Sequence, residues 1–134
     1  MLRKLLFPGL TGLLLSVSAV AESGALVYLG RLEWPEGMEV AGRRVGGLSG
    51  ITWDEVSGLF LAVSDGRRGE STMVWELPLA VEAGSGDLRL EGEISGIVLA
   101  GAPLDAEGIV LLPGGQLLIA HEGSRDGLLA PGLT

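Results

Sequence analysis

Ser49-Gly50-Ile51-Thr52-Trp53, the turn Glu55-Val56-Ser57-Gly58 and the run Leu59-Phe60-Leu61-Ala62-Val63-Ser64-Asp65-Gly66 decide the reading of this chain. Two short apolar runs separated by a turn that ends in Gly predict an antiparallel hairpin. Glu107-Gly108-Ile109-Val110-Leu111-Leu112, the turn Pro113-Gly114-Gly115 and Gln116-Leu117-Leu118-Ile119-Ala120-His121-Glu122-Gly123 have the same form. The second unit follows the first by 58 residues on the leading strand and 57 on the returning one. A strand, turn, strand, acid-Gly unit recurring at that period predicts the blades of a β-propeller.

Outward from the hairpins, the sequence keeps to short strands. Residues 25–32 predict one, closed by the turn Trp34-Pro35-Glu36-Gly37. Residues 72–77 and 88–93 predict two more, and residues 94–99 a continuation after a bend at Ser95-Gly96. Residues 123–134 read as loop, and the short run 79–83 carries the one helical suggestion. No longer stretch shows apolar positions at i, i+3, i+4 and i+7, so the expected class is all-β. The 23 glycines among 134 residues agree, since each Gly inside a helix costs roughly 1 kcal/mol relative to Ala.

Composition excludes several function classes. Without cysteine there is no disulfide framework, no thiol nucleophile and no thiolate zinc site. A formal charge of −8 argues against a nucleic-acid binder, which needs clustered Lys and Arg to neutralise phosphates. Residues 1–21 carry Arg3 and Lys4, an apolar stretch from Leu5 to Leu15, and Ala19-Val20-Ala21 before Glu22. This is the three-part pattern of a cleaved signal peptide, and it predicts a periplasmic or secreted protein with no stable membrane span after cleavage. Residues 22–134 then hold seven arginines, no lysine and all 17 acids, a formal charge of −10. Outside the cell those acids meet calcium, for which carboxylates are natural ligands; most of them also serve solubility.

Gly46-Gly47-Leu48-Ser49-Gly50-Ile51-Thr52-Trp53-Asp54, Leu61-Ala62-Val63-Ser64-Asp65, Pro103-Leu104-Asp105-Ala106-Glu107-Gly108-Ile109 and His121-Glu122-Gly123, in that order, resemble the opening section of the phytase-like, "esterase-like activity of phytase" family. The resemblance runs from about Val27 to Pro131. It implies an exported bacterial β-propeller protein that hydrolyses phosphate or carboxylic esters, with 1–21 as leader and 22–134 as the N-terminal portion of the domain. Ser49, Asp65, Asp105, Glu107 and Glu122 match the family pattern. His121 departs from it, standing where a small residue is more common.

The acids are the candidate chemistry. Asp65 and Glu122 each end a returning strand, while Asp105 and Glu107 open the leading strand of the second hairpin. Equivalent strand ends of successive blades converge, so Asp65, Asp105, Glu107 and Glu122 are candidate Ca²⁺ ligands, and Asp105 and Glu107 the candidate catalytic pair. The plainer role for each is a turn or cap, since acids before Gly commonly accept backbone N–H bonds. Ser49, Arg67 and His121 are candidate binding residues for a small ester or phosphoester. Ser49 does not sit in a nucleophile elbow, because Gly50 follows it directly and a strand follows that. The expected function is calcium-assisted attack of water on an ester. The alternatives are a noncatalytic periplasmic or extracellular propeller that binds a ligand, and an inactive truncated fragment. Oligomeric state is not readable. A propeller closes with about 4 to 8 blades of roughly 40–50 residues. Residues 22–134 supply about two by that period, which predicts the first blades of a longer domain or a chain that closes with a partner.

Overall fold

A computed structural model describes residues 28, 30–66, 70–82, 85–101, 103–124, 127 and 129–134. The expected leader at 1–21 and Arg67 lie outside the described residues. The strands are β1 (Glu39–Val40), β2 (Arg43–Arg44), β3 (Leu48–Asp54), β4 (Leu59–Ser64), β5 (Met73–Leu77), β6 (Leu79–Val81), β7 (Leu88–Leu90), β8 (Ser95–Val98), β9 (Leu104–Leu111), β10 (Leu117–Ser124) and β11 (Gly132–Leu133). No helix occurs among the described residues, so the all-β expectation holds. A four-stranded antiparallel sheet runs β3-β4-β5-β8 and a three-stranded one β9-β10-β11. The pairs β1-β2 and β6-β7 are separate hairpins, and among the described residues no sheet closes on itself.

The apolar runs explain the layering. Strands β4 and β5 are almost continuously buried, as strands covered on both faces must be. On one face Leu61, Val63 and Val74 pack against Leu104, Ala106, Ile109 and Ile119 of the three-stranded sheet. On the other, Ala62, Met73, Trp75 and Leu77 pack with Val45 and Ile94 beneath Trp34, Met38 and Val40.

The two predicted hairpins share one register. Leu48↔Ser64, Gly50↔Val63, Ile51↔Ala62, Thr52↔Leu61 and Trp53↔Phe60 pair in β3-β4. Ala106↔His121, Gly108↔Ala120, Ile109↔Ile119, Val110↔Leu118 and Leu111↔Leu117 pair in β9-β10. Each pair of the second set is a pair of the first moved by 58 on the leading strand and 57 on the returning one. The irregularity repeats as well: Ser49 in β3 and Glu107 in β9 are the extra residues of equivalent β-bulges.

Equivalent glycines join the two units. A Cβ on Gly50 would lie 2.7 Å from Gly108 Cα and 2.9 Å from the Ile109 nitrogen, so β3 and β9 touch backbone to backbone. Further along, Leu111 N donates to Thr52 Oγ1 at 3.5 Å. The contacts advance in the same order on both strands, which therefore run side by side in one direction.

Several local expectations are corrected. Residues 79–81 form strand rather than helix, because Leu79, Ala80 and Val81 pair with Leu90, Arg89 and Leu88; residue 83 lies outside the described residues. The expected strand at 25–32 forms no ladder at Tyr28 and Gly30 to Leu32, where Gly30 takes a φ of +154°; its other residues lie outside the described ones. The expected strand at 88–93 stops at Leu90, since β7 belongs to β6 while β8 joins β5. In the tail, Gly123 and Ser124 extend β10, and β11 pairs with it at Ala120↔Leu133 and His121↔Gly132. The β1-β2 hairpin is not among the expected strands; its turn places both Ala41 and Gly42 at positive φ, the geometry of a type I′ turn.

Gly50→Ala should destabilise the fold by about 1–3 kcal/mol in urea denaturation, the usual cost of overpacking. Gly46→Ala, which meets nothing within 4 Å, should change it little. The turn between β3 and β4 gives a pH test. Asp54 accepts Ser57 Oγ at 2.7 Å and Val56 N at 3.0 Å. These bonds, the serine hydroxyl first, hold its carboxyl below the ordinary value of 3.8. A folded-state pKa below the unfolded one stabilises at neutral pH, and that contribution fades as the pH falls through the folded value. The Tm of Asp54→Ala should therefore lie below wild type at pH 7, and the gap should narrow on acidification below about pH 4.

Candidate metal centre

The start of β9 is fixed from its neighbours. Thr72, buried at the entry to β5, accepts from Leu104 N at 2.7 Å through Oγ1 and donates to Leu104 O at 3.3 Å. Gly66 N donates to the same carbonyl at 2.8 Å. Leu104 is thus held by three hydrogen bonds one residue before Asp105. Asp105 and Glu107 are separated by two positions on the strand and so tend to one side of it.

Two bulges then bring in the third acid. Glu107 is the extra residue between the pairs Ala106↔His121 and Gly108↔Ala120. Between His121 and Ser124 the extra residue falls on β10. There Gly123 has a φ of +114°, and a Cβ on it would lie 2.5 Å from Leu129 O, so the position needs glycine. Bulges re-aim side chains, and here they flank Glu107 and Glu122. Carboxylate oxygens of Asp105, Glu107 and Glu122 all lie within 4.8 Å of one another. Asp105 is half-buried, and both glutamates are exposed.

The donor set fits a hard cation. Oxygens each about 2.3–2.6 Å from one Ca²⁺ lie at most about 5 Å apart, and the three acids offer oxygen only. Sites for zinc favour nitrogen and sulfur. Three like charges this close repel one another, and a divalent cation among them relieves that repulsion.

The other expected site residues fall elsewhere. By the repeat, Gly47, Ser49 and Asp65 hold the positions of Asp105, Glu107 and Glu122. Ser49 Oγ donates to Gly47 O at 3.3 Å. Asp65 N donates to the same carbonyl at 3.1 Å, and the Asp65 carboxylate rests where a Cβ on Gly47 would stand. Asp65 also lines a separate cleft of about 330 Å³ with Arg43, Arg44, Glu39 and Glu70, and it is not part of the three-acid group. His121 Nδ1 accepts from Gly123 N at 3.2 Å, and its ring lies against Gly132. This bond ties His121 into the strand bend that presents Glu122. Thr72 was missed by sequence reading: in Thr72-Met73-Val74-Trp75 it is simply the first residue of a strand, and its partner is 32 positions away.

Fold and site together define an all-β protein of repeated antiparallel hairpins carrying a three-carboxylate centre on one strand pair. A family model described as "Phytase-like: Esterase-like activity of phytase" matches residues 43–133, and the chain belongs to this family. No curated protein and no solved structure matches the chain.

Thr72→Val keeps the volume and removes the hydroxyl, leaving the Leu104 N–H buried without its partner. The expected loss is about 1–3 kcal/mol by urea denaturation, with Thr72→Ser losing less.

Proposed function

We propose that the chain is an exported phytase-like hydrolase of phosphate or carboxylic esters, working in the periplasm or outside the cell, with Asp105, Glu107 and Glu122 holding Ca²⁺. The convergence of these three carboxylates, in a chain of a family described by esterase-like activity, carries the reading. The architecture that goes with it is the opening blades of a β-propeller. The shared register of the two hairpins and the parallel course of β3 and β9 support this, since propeller blades repeat one sheet around an axis.

Bound calcium would polarise an ester oxygen and stabilise the charge that develops on it. The chain's own residues divide the remaining work. Asp105, half-buried and following the anchored Leu104, is the fixed ligand. Glu107, exposed on its bulge, is the proposed base that takes a proton from the attacking water. Glu122 completes the oxygen set from the neighbouring strand. Asp65 and Ser49, at the matching end of the first hairpin, and Arg67 just beyond it are the proposed contacts for the rest of the substrate. A guanidinium suits phosphate there because it can donate two parallel hydrogen bonds.

Calcium at a hundredfold excess over its dissociation constant should stabilise the wild-type chain by about 2.7 kcal/mol in thermal unfolding. Asp105→Asn with Glu107→Gln should remove most of that shift, and should abolish calcium-dependent release of phosphate or alcohol from a panel of esters. Calcium binding without turnover on the panel would favour a noncatalytic binding module. Absence of both would refute the proposed centre.

A further inference from the structure

A separate cleft of about 330 Å³ lies between the β1-β2 hairpin, the end of β4 and the start of β5, and it holds donors that the fold leaves without partners. Its described lining comes wholly from residues 37–73, within the first unit. On β2, Arg43 pairs with Val40 and shares the face that Val40 turns to the core of Ala62, Met73 and Trp75, whereas Arg44 pairs with Glu39 on the outer face. Arg43 is accordingly half-buried and Arg44 exposed. On β4, Ser64 follows Ala62 by two positions and pairs with Met73, both members of that core, and it is only 5% exposed. Among the described residues, neither the Arg43 guanidinium nor the Ser64 hydroxyl has a hydrogen-bond or ion-pair partner.

Burying a polar group without a partner costs free energy, and a charged group costs more. Both groups line the same cleft and both donate, as does the Ser71 hydroxyl beside them. The cleft also has room for an acceptor: Gly42 and Gly46 line it, and a Cβ on either would meet nothing within 4 Å. An oxyanion, phosphate or carboxylate, accepts from a guanidinium and from hydroxyls together. The acids of the cleft narrow the choice further. The Asp65 carboxylate lies over Gly47. Glu39 and Glu70 are exposed and, among the described residues, without an ion-pair partner, and exposed Arg44 offsets only one of their two charges. Such a rim repels a ligand that carries a second anion and attracts one that carries an ammonium.

We propose that this cleft binds a small zwitterion, its phosphate or carboxylate held by Arg43 and Ser64 and its ammonium by Glu39 and Glu70. Small-molecule sites usually measure about 300–1,000 Å³, and this one is near the lower end, so the ligand is small. Asp105, Glu107 and Glu122 take no part in the cleft, so the inference stands apart from the calcium centre.

The test titrates the purified full chain, without added calcium, with phosphoethanolamine and γ-aminobutyrate as zwitterions, inorganic phosphate and acetate as bare anions, and ethylamine as bare ammonium. Calorimetry reads affinity, and amide NMR shifts read location. At least one zwitterion should bind, about tenfold or more tighter than its bare anion or ethylamine, with shifts centred on Gly42, Gly46 and Ser64. The tighter of the two identifies the preferred oxyanion. Ser64→Ala removes only an unpaired hydroxyl, so urea denaturation should show no loss of stability while affinity falls about threefold or more, a split that a merely structural role does not give. Arg43→Met should weaken binding about tenfold or more. Gly46 is not at positive φ, so Gly46→Leu should fold and abolish binding by filling the cleft. Circular dichroism checks each fold, and if Arg43→Met misfolds the other two variants carry the test. Failure of both zwitterions to bind would overturn the proposal. So would a bare anion that binds as tightly as its zwitterion, shifts centred away from the cleft, or Ser64→Ala and Gly46→Leu chains that bind as wild type does.

Discussion

Everything in the arrangement of the two sheets depends on one close approach, that of Gly50 to Gly108. With no side chain at either position, the leading strands of the hairpins lie backbone against backbone. That spacing lets Ile109 and Ile119 reach Leu61, Val63 and Val74 and close the shared core. It also keeps Leu104 within reach of Thr72 and Gly66, and so fixes the strand end on which Asp105 stands. A methyl group at Gly50 would push the strands apart and strain both connections at once, whereas one at Gly108 would meet only Ala120 Cβ at 3.7 Å. Surface ion pairs have no comparable reach: Arg31–Glu33, Arg89–Glu82 and Arg89–Glu91 are solvent-exposed, where such pairs are worth little.

The two units share a scaffold and differ in what it carries. Positions 47, 49 and 65 hold Gly, Ser and Asp, and the equivalent positions 105, 107 and 122 hold Asp, Glu and Glu. In the first unit the single carboxylate folds over the glycine; in the second, three carboxylates gather. A bulge that precedes each joining glycine presents a serine in one case and a glutamate in the other. Chemistry thus changes at strand ends while the register beneath it stays the same, which is how one fold carries different sites.

Much of this was legible in the sequence. Both central hairpins were readable because short apolar runs bounded by turn residues have few other ways to fold, and the 58- and 57-residue offsets are the offsets of the ladders themselves. What failed was set by partners distant in sequence. Residues 79–81 become strand only because Leu88 to Leu90 return beside them, and Gly132 and Leu133 only because β10 offers an edge. The β1-β2 turn depends on Ala41 at a positive φ, which alanine rarely adopts and composition does not announce. Among the four acids expected as ligands, Asp105, Glu107 and Glu122 come together. Asp65 stands apart from that group, because the position equivalent to Asp105 in its own unit is Gly47. Compensating bulges do the gathering, and a bulge is visible in a register, not in residue types.

The most direct measurement is an NMR cross-peak between the Hα protons of Gly50 and Gly108 in the folded, isotopically labelled chain with both glycines assigned. The account predicts a strong cross-peak, accompanied by one between Thr52 and the Leu111 amide. A folded protein in which the β3-β4 and β9-β10 ladders are intact but both cross-peaks are missing would contradict it.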